Sequence, residues 1–181
     1  MKGQSILTAL KMDHPDMLDW ALDEENADIE EFLEVGNTPL QLAVSWRAID
    51  CVVFLLQKGA LPDHECGNGF TPLMIAAQEG FTDIAAALLD NKADVNHHGP
   101  YGLTPLMAAA RDGLQDTVRL LLDRGADAEV ATHVGNTALM MAQMSGHKNT
   151  AELLKNHLGS LYGALSPALV NRFVIVKEPS E

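Results

Sequence analysis

The chain has 181 residues, of which 47% are hydrophobic, so it is long and apolar enough for a folded core and is not disordered by composition. Its formal net charge of −13 disfavours nucleic acid and anionic membranes as partners. The sequence holds neither a signal peptide nor an apolar run of the roughly 18 residues that a membrane span needs. We therefore expect a cytoplasmic protein.

The first 35 residues are strongly acidic. They carry ten acidic side chains against Lys2 and Lys11, so this segment supplies a net charge of −8. The acids are Asp13, Asp16, Asp19, Asp23, Glu24, Glu25, Asp28, Glu30, Glu31 and Glu34. The simpler interpretation is a solvated end face that keeps the protein soluble. The alternative is an electric field that steers a basic partner toward the protein.

From residue 36 onward the sequence repeats with a constant period of about 33 residues, a length typical of arrays of small structural units. Glycines mark the period, a threonine follows each glycine after one residue, and a pair of leucines recurs later in each unit. The glycines are Gly36, Gly69, Gly102 and Gly135, and the threonines are Thr38, Thr71, Thr104 and Thr137. The leucine pairs are Leu55-Leu56, Leu88-Leu89 and Leu121-Leu122.

Each unit predicts two helices joined by a turn. Threonine followed by proline is a helix start, because the hydroxyl caps free N–H groups and proline suits the first helical position. Small residues follow, so a second helix can approach closely, and Gly80, Gly113 and Gly146 are placed to end the first helix in a left-handed conformation. The leucine pair lies on the second helix. No unit can bury the apolar face of its helix pair alone, so neighbouring units are expected to stack.

The unit resembles the ankyrin repeat. GNTPLQLAV, GFTPLMIAA, GLTPLMAAA and GNTALMMAQ match the opening motif of that family, and LLQKGALPD, LLDNKADVN and LLDRGADAE match its closing motif. The resemblance implies an all-α solenoid of about five helix-turn-helix repeats. Gly3, Ser5, Leu7 and Leu22 lie one period before their counterparts, so the first segment is interpreted as a degenerate repeat that caps the stack.

The domain boundaries follow from this phase. They are residues 1–35 for the degenerate N-terminal capping repeat, 36–68, 69–101 and 102–134 for three ankyrin repeats, 135–158 for the last repeat, and 159–181 for a C-terminal segment. That segment is expected to cover the apolar end of the last repeat; the alternative is an arm offered to a partner. The family usually has histidine after Thr-Pro-Leu, and here Gln41, Met74, Met107 and Met140 replace it or its counterpart, so we expect a side-chain hydrogen bond of the motif to be missing.

The sequence gives little indication of chemistry. It has no phosphate-binding glycine loop, no nucleophile elbow and no HExxH pair. Cys51 is expected to be a buried thiol. Histidines of neighbouring turns are expected about 10 Å apart, too far for several of them to bind one zinc ion. We therefore predict that the protein is not an enzyme and binds no metal or cofactor.

The resemblance implies where a partner binds. Ankyrin stacks bind other proteins on a concave side, through the turns and the exposed ends of the first helices. The matching residues in this chain are Trp46, Phe70, Tyr101, Leu103, Glu79, Arg111, Asp112 and Met144. Exposed aromatic side chains are typical anchors of binding sites, whereas the competing interpretation packs Trp46 against Val35 and Phe70 as local core.

The leading hypothesis is a protein-binding module that acts as an adaptor, scaffold or inhibitor. Its acidity favours a partner with a basic patch, and we expect a monomer in the absence of that partner. The alternative within this class is an immunity or antitoxin protein that neutralises a basic toxin. A metal-binding protein or an enzyme is the hypothesis of a different class, and it would require convergent histidines in the turns.

Overall fold

The computed structural model describes residues 3–31, 33 and 36–162. Within those residues the chain forms ten α-helices and one short 3₁₀ helix. They are α1 (Gln4–Lys11), α2 (Pro15–Glu24), α3 (Pro39–Ser45), α4 (Ile49–Gln57), α5 (Pro72–Glu79), α6 (Thr82–Asp90), the 3₁₀ turn Pro100–Gly102, α7 (Pro105–Arg111), α8 (Gln115–Asp123), α9 (Ala138–Met144) and α10 (Lys148–Tyr162). Among these residues the β structure is limited to one isolated antiparallel bridge between Ala131 and Thr137. The predicted all-α stack of helix pairs is confirmed.

The helices form two layers. The odd-numbered helices pack side by side as an inner layer, and the even-numbered helices do the same as an outer layer. Each inner helix also packs against the outer helix that follows it. Alanines at one inner-layer position, Ala43, Ala76, Ala109 and Ala142, are fully buried, and so are Leu55, Leu88, Leu121 and Leu154 of the outer layer. Small inner side chains thus let the two layers approach closely around a continuous leucine core.

The sequence dictates where the inner helices begin and end. The side chains of Thr38, Thr71, Thr104 and Thr137 each accept a hydrogen bond from the N–H group three positions further along. Gly80, Gly113 and Gly146 have φ values of 73°, 74° and 79°. A residue with a Cβ adopts this left-handed region only at a cost, which explains glycine after these helices. Both predictions, the threonine caps and the left-handed ends, are confirmed.

The first inner helix departs from the expected register. The N–H group of His14 bonds to the carbonyl of Ala9, and the N–H group of Ala48 bonds to the carbonyl of Ala43 in the same way. Ala48 corresponds to His14 and Ala43 to Ala9, and each pair is separated by one residue more than the 33-residue period. The expectation that Ser5 corresponds to Thr38 is therefore wrong. The N-cap of α1 is Gly3, which has no side chain to accept a bond.

A glutamate from the end of the same repeat replaces the missing cap. The carboxylate of Glu25 accepts hydrogen bonds from the N–H groups of Gly3 and Ser5, the latter at 3.2 Å. The bond from Gly3 holds the pKa of Glu25 below its usual value of 4.5. A carboxylate is well suited to this place, because the N-terminus of a helix attracts negative charge.

Carboxylates and amides also link successive repeats. Glu30 accepts a bond from the N–H of Leu61 at 2.8 Å, Asp63 from the N–H of Asp94 at 3.0 Å, and Asn96 from the N–H of Asp127 at 2.8 Å. The three acceptors occupy the same position in successive repeats, as do the three donors. Asp13 acts similarly on α4, whose N-terminal N–H group at Cys51 donates to it at 2.8 Å. Part of the acidic charge of the first repeat is therefore used to join it to the second.

The last helix pair carries polar residues on the side where a further repeat would stack. Gln143 is half-buried at the position where Val44, Ala77 and Ala110 are fully buried. Lys155 is exposed at the position of the buried Leu122. The helix α10 has 15 residues and continues past the expected boundary at 158 to Tyr162. The rest of the expected C-terminal segment lies outside the described residues.

The leucine core generates a prediction about stability. Leu88 and Leu121 are fully buried between layers and between repeats, so replacing either by alanine leaves a cavity. We expect Leu88→Ala and Leu121→Ala each to lower the free energy of unfolding by about 2–5 kcal/mol in equilibrium denaturation. Leu161→Ala is the matched control, since Leu161 is 57% exposed. A loss below about 1 kcal/mol for both core variants would contradict the packing described here.

The cap at Glu25 generates a prediction about pH. Because the folded state lowers the pKa of Glu25, its carboxylate stabilises α1 above pH 4.5, and this contribution is lost as the pH falls through the lowered value. We expect the amides of α1 to exchange hydrogen faster in Glu25→Gln than in the wild type near neutral pH. The difference should close in acid. Glu24→Gln, at an exposed neighbour, should show no such difference; equal protection in Glu25→Gln at neutral pH would disprove the cap.

Candidate functional site

The expected binding residues lie on one side of the stack, which we call the inner face. It consists of the turns 67–70, 100–103 and 133–136 together with the C-terminal ends of α3, α5, α7 and α9. Backbone hydrogen bonds join two pairs of successive turns: the N–H of Gly67 donates to Gly36, in the turn before α3, at 3.1 Å, and the N–H of His133 donates to Tyr101 at 2.9 Å. These bonds fix the spacing of the turns within each pair, and the inner helices extend away from the turns.

Two apolar side chains project from adjacent turns of this row. Tyr101 is 83% exposed and Val134 is 81% exposed, and the bond from His133 to the carbonyl of Tyr101 links their turns. Adjacent exposed apolar side chains mark an interaction site more often than a single exposed side chain does. The site residue Tyr101 is thus accessible, and Val134, which occupies the same position in the next repeat, extends its surface.

The backbone of Tyr101 is strained. Its φ and ψ angles are 60° and 17°, in the left-handed region that disfavours any residue with a Cβ. The next residue, Gly102, has a φ of 75°, so two consecutive residues turn the chain the same way. Asn68 and Val134, at the corresponding positions of the neighbouring repeats, do not have a positive φ, so among these three residues only Tyr101 is strained. A tyrosine is therefore retained here at an energetic cost.

Two residues that stand where the family usually has histidine, Met74 and Gln41, differ in how they pack near the turns. Met74 is fully buried, and a Cβ on Gly99 would lie 2.5 Å from its terminal methyl carbon. At Gln41 the expected loss of a hydrogen bond is wrong: the side-chain oxygen accepts from the N–H of Thr38 at 2.8 Å, and the side-chain nitrogen donates to the carbonyl of His64. Glutamine thus keeps the polar links, whereas Met74 fills the space with apolar volume.

The other two aromatic residues are less accessible than Tyr101. Trp46 follows the last residue of α3, is partly buried against the core, and has the Lys11 ammonium 5.0 Å from its ring centre. Phe70 is half-buried in the turn before α5, and Leu103 packs against the core. A seven-residue helix is about 10 Å long, so Trp46 lies at the opposite end of the inner layer from the turns that hold Phe70 and Tyr101. The structure does not bring the three aromatic side chains into one cluster.

The remaining expected residues line the C-terminal ends of the inner helices. Glu79 and Asp112 are exposed, and Arg111 forms an ion pair with Asp112 at 3.1 Å. Met144, in the same position on α9 as Arg111 on α7, is 75% exposed. Sequence reasoning missed Met12, which is 64% exposed and occupies the position of Trp46 in the first repeat. The register shift in α1 concealed this correspondence, because the unshifted period aligns Asp13 with Trp46.

Histidines in the turns pair with carboxylates of the preceding repeat. Nδ1 of His64 lies 2.6 Å from Glu30, and Nε2 of His97 lies 3.1 Å from Glu65. In residues 3–31, 33 and 36–162 no three histidine, cysteine or acidic side chains are arranged to hold a metal ion. These histidines therefore act as links between repeats.

Both thiols are buried. Burial, reinforced by the nearby Asp13 carboxylate, raises the pKa of Cys51 to about 12. This thiol is not a nucleophile at neutral pH, because the thiolate is the reactive form.

Sequence comparison agrees with the architecture. The family model for ankyrin repeats in three copies matches residues 60–132 and 96–164, and the model for a single ankyrin repeat matches residues 35–66. The chain belongs to the ankyrin-repeat family. Ankyrin repeats are generally modules of protein–protein interaction. Comparison with curated proteins gave no match. Within the described part of this ankyrin-repeat protein, no helix is long and apolar enough to span a membrane.

The strain at Tyr101 generates a prediction that separates stability from binding. Tyr101→Asn should leave the free energy of unfolding unchanged or raise it by up to about 1 kcal/mol, because asparagine adopts the left-handed conformation more readily and the exposed ring contributes little packing. Equilibrium denaturation measures this. Leu103→Asn, at a nearby residue packed on the core, should instead be destabilising. A loss above about 1 kcal/mol in Tyr101→Asn would show that the ring supports the fold.

Proposed function

We propose that this ankyrin-repeat protein is a non-enzymatic binding module that engages a partner protein on its inner face. The observation that carries the proposal is the exposure of three large apolar side chains on that face. Tyr101, Val134 and Met144 are 83%, 81% and 75% exposed. Buried aromatic anchors supply much of the affinity at protein interfaces, so these side chains are suited to fill pockets of a partner.

The conformation of Tyr101 supports the same conclusion. A strained residue persists where the surrounding structure holds it and where function favours it. The hydrogen bond from His133 fixes the carbonyl of Tyr101, so the ring is presented from a rigid turn. A rigid anchor loses little conformational freedom on binding, which raises the affinity.

The charges around the anchors favour a basic partner. Glu79 is exposed on the inner face, and the charges of Arg111 and Asp112 balance one another in their ion pair. The whole chain has a net charge of −13. We infer a partner whose basic patch surrounds an apolar pocket. Exposed charges of this kind act mainly on the rate of association, since salt screens them beyond about 8–10 Å.

We also propose that the protein is not an enzyme and that it is cytoplasmic. The raised pKa of Cys51 supports a binding role, because it removes a nucleophile that the sequence offers. Two buried free thiols suit a reducing compartment. The net charge of −13 favours a monomer before the partner binds, because identical acidic chains repel one another.

The binding proposal predicts two separable kinetic effects. With the partner that co-purifies from the source cell, Tyr101→Ser and Val134→Ser should raise the dissociation rate and leave the salt dependence of association intact. Replacing Asp16, Asp23 and Glu24 by their amides should slow association and flatten its salt dependence. Surface plasmon resonance over a range of salt concentrations measures both rates. Asp19 and Glu25 are spared because their carboxylates bond to Lys58 and to the start of α1.

Leu161→Ser is the control, since Leu161 is 57% exposed but lies on α10, outside the inner face. It should bind as tightly as the wild type. Trp46→Ala is a less direct test than Tyr101→Ser, because Trp46 is partly buried and its loss also affects stability. Wild-type dissociation rates for both Tyr101→Ser and Val134→Ser would overturn the inner-face proposal.

A further inference from the structure

The opposite side of the stack has its own surface pattern. We call the solvent-facing side of α2, α4, α6, α8 and α10 the outer face. One residue of each helix from α4 onward lies in a middle row along this face, at the same position of every repeat: Val53, Ala86, Arg119 and Glu152. On α2 the shift of one residue in the first repeat aligns Trp20 with Phe54, next to this row. Trp20, Val53 and Ala86 are apolar, whereas Arg119 and Glu152 are charged. Trp20 is 56% exposed, Val53 is 37% exposed, and Ala86 is half-buried.

The apolar part of the row is wider than these three side chains. Phe54, next to Val53, is half-buried on the core with the ammonium of Lys58 5.2 Å from its ring centre. Ala87 follows Ala86 and is also half-buried. Three adjacent outer helices therefore each present apolar side chains, which we call the strip, at positions where solvent-facing helices normally carry charged residues.

Acidic side chains flank this strip on both sides. Residues three or four apart share one face of a helix, so Asp16 and Asp23 lie on either side of Trp20, and Asp83 and Asp90 lie on either side of Ala86. On α4, Asp50 lies on one side of Val53, and the uncharged Gln57 lies on the other side. The acids in the first turns also stabilise their helices, because negative charge near a helix N-terminus is favourable. Those in the last turns, Asp23, Glu24 and Asp90, oppose the helix dipole and so do not serve helix stability.

Basic side chains near the strip are already engaged. Lys58 bonds to Asp19 at 2.6 Å, Arg47 lies 3.9 Å from Asp83, and Arg124 lies 2.7 Å from Asp90. Asp16, Asp23, Glu24 and Asp50 are exposed in addition to these paired acids. The strip therefore has an apolar centre and a rim of net negative charge.

We propose that the outer face of α2, α4 and α6 is a second docking surface, for a partner protein that presents an apolar ridge flanked by lysine or arginine side chains. Charge complementarity selects this occupant. A second copy of the chain would bring its own acidic rim against this one, and nucleic acid or anionic lipid would be repelled in the same way. The outer and inner faces belong to different helix layers, so the protein can hold two partners at once and join them.

The two tryptophans of the chain make the faces separately observable, because Trp20 lies on the outer face and Trp46 on the inner side. Trp46→Phe leaves Trp20 as the reporter, and Trp20→Phe leaves Trp46. The probe is a synthetic helical peptide with leucines along one face and lysines on both flanks. Its controls replace every leucine by serine or every lysine by glutamate.

We expect the lysine–leucine peptide to shift the Trp20 emission to shorter wavelength at saturation in the Trp46→Phe protein, with weaker binding at higher salt. The serine peptide should bind at least tenfold more weakly, and the glutamate peptide should cause no shift. The double variant Val53→Ser/Ala86→Ser, made in the Trp46→Phe protein, should lose at least tenfold in affinity for the lysine–leucine peptide. Its inner-face match, Val134→Ser/Met144→Ser, should change that affinity less than twofold.

Circular dichroism and thermal melting verify that both double variants remain folded. The proposal is overturned if the peptide shifts Trp46 and leaves Trp20 unchanged, or if Val53→Ser/Ala86→Ser binds as tightly as its parent. It is also overturned if sedimentation shows a dimer without peptide that the same double variant abolishes, since the occupant is then a second copy. A shift of Trp46 would place the peptide on the inner side, whereas the other outcomes leave the inner face to its own test with Tyr101 and Val134.

Discussion

The structure depends on the burial of one apolar seam between successive helix pairs. Leu55, Leu88, Leu121 and Leu154 are fully buried at equivalent positions, and an alanine faces the seam in each of these pairs. A single pair would leave its leucines in water, at a cost of about 1.5–3 kcal/mol for each side chain. Stacking is therefore obligatory, and it produces one inner and one outer layer whose solvent-facing positions are free to vary without disturbing the core.

Hydrogen bonds to polar side chains fix the position of each repeat relative to the next, although they are not part of the apolar core. Glu30, Asp63 and Asn96 each bond to a backbone N–H of the following repeat, and Asp13 bonds to the start of α4. These bonds satisfy backbone groups that the apolar seam cannot. They also change the interpretation of the acidic first repeat. Several of its carboxylates have structural partners, so the charge available for steering is concentrated on residues such as Asp16, Asp23 and Glu24.

Sequence reasoning succeeded where one residue type determines local geometry. Threonine predicted the starts of α3, α5, α7 and α9, and glycine predicted the left-handed ends of α5, α7 and α9, because both rules depend on near neighbours only. It failed at α1, where the cap comes from Glu25, at the far end of the same repeat. The periodic pattern of the sequence does not indicate that Glu25 replaces the missing cap. The shifted register of the first repeat, and with it the correspondence of the exposed Met12 to Trp46, was therefore also missed.

The candidate site was predictable in its location but not in its composition. The resemblance placed Trp46, Phe70 and Tyr101 on one side of the stack, yet exposure separates them: Tyr101 is 83% exposed, while Trp46 rests partly on the core. Local contacts explain this difference. Trp46 packs against the core and has the ammonium of Lys11 over its ring, whereas Tyr101 projects from its turn. The strained φ of Tyr101 likewise has no sequence signature, since Asn68 and Val134 occupy the same position.

The distribution of exposed apolar residues bears on what kind of binding protein this is. On the inner side they are Tyr101, Val134 and Met144 in the C-terminal half, and Met12 in the first repeat. On the outer helices they are Trp20 and Val53 in the N-terminal half, and Leu161 on α10. Each repeat contributes one position to each face, so the two faces can acquire different partners independently. An inhibitor or immunity protein needs a single surface that blocks its target. Apolar surfaces on opposite layers of one stack would instead suit the adaptor form of the proposed binding module, because a protein bound to either surface leaves the other accessible.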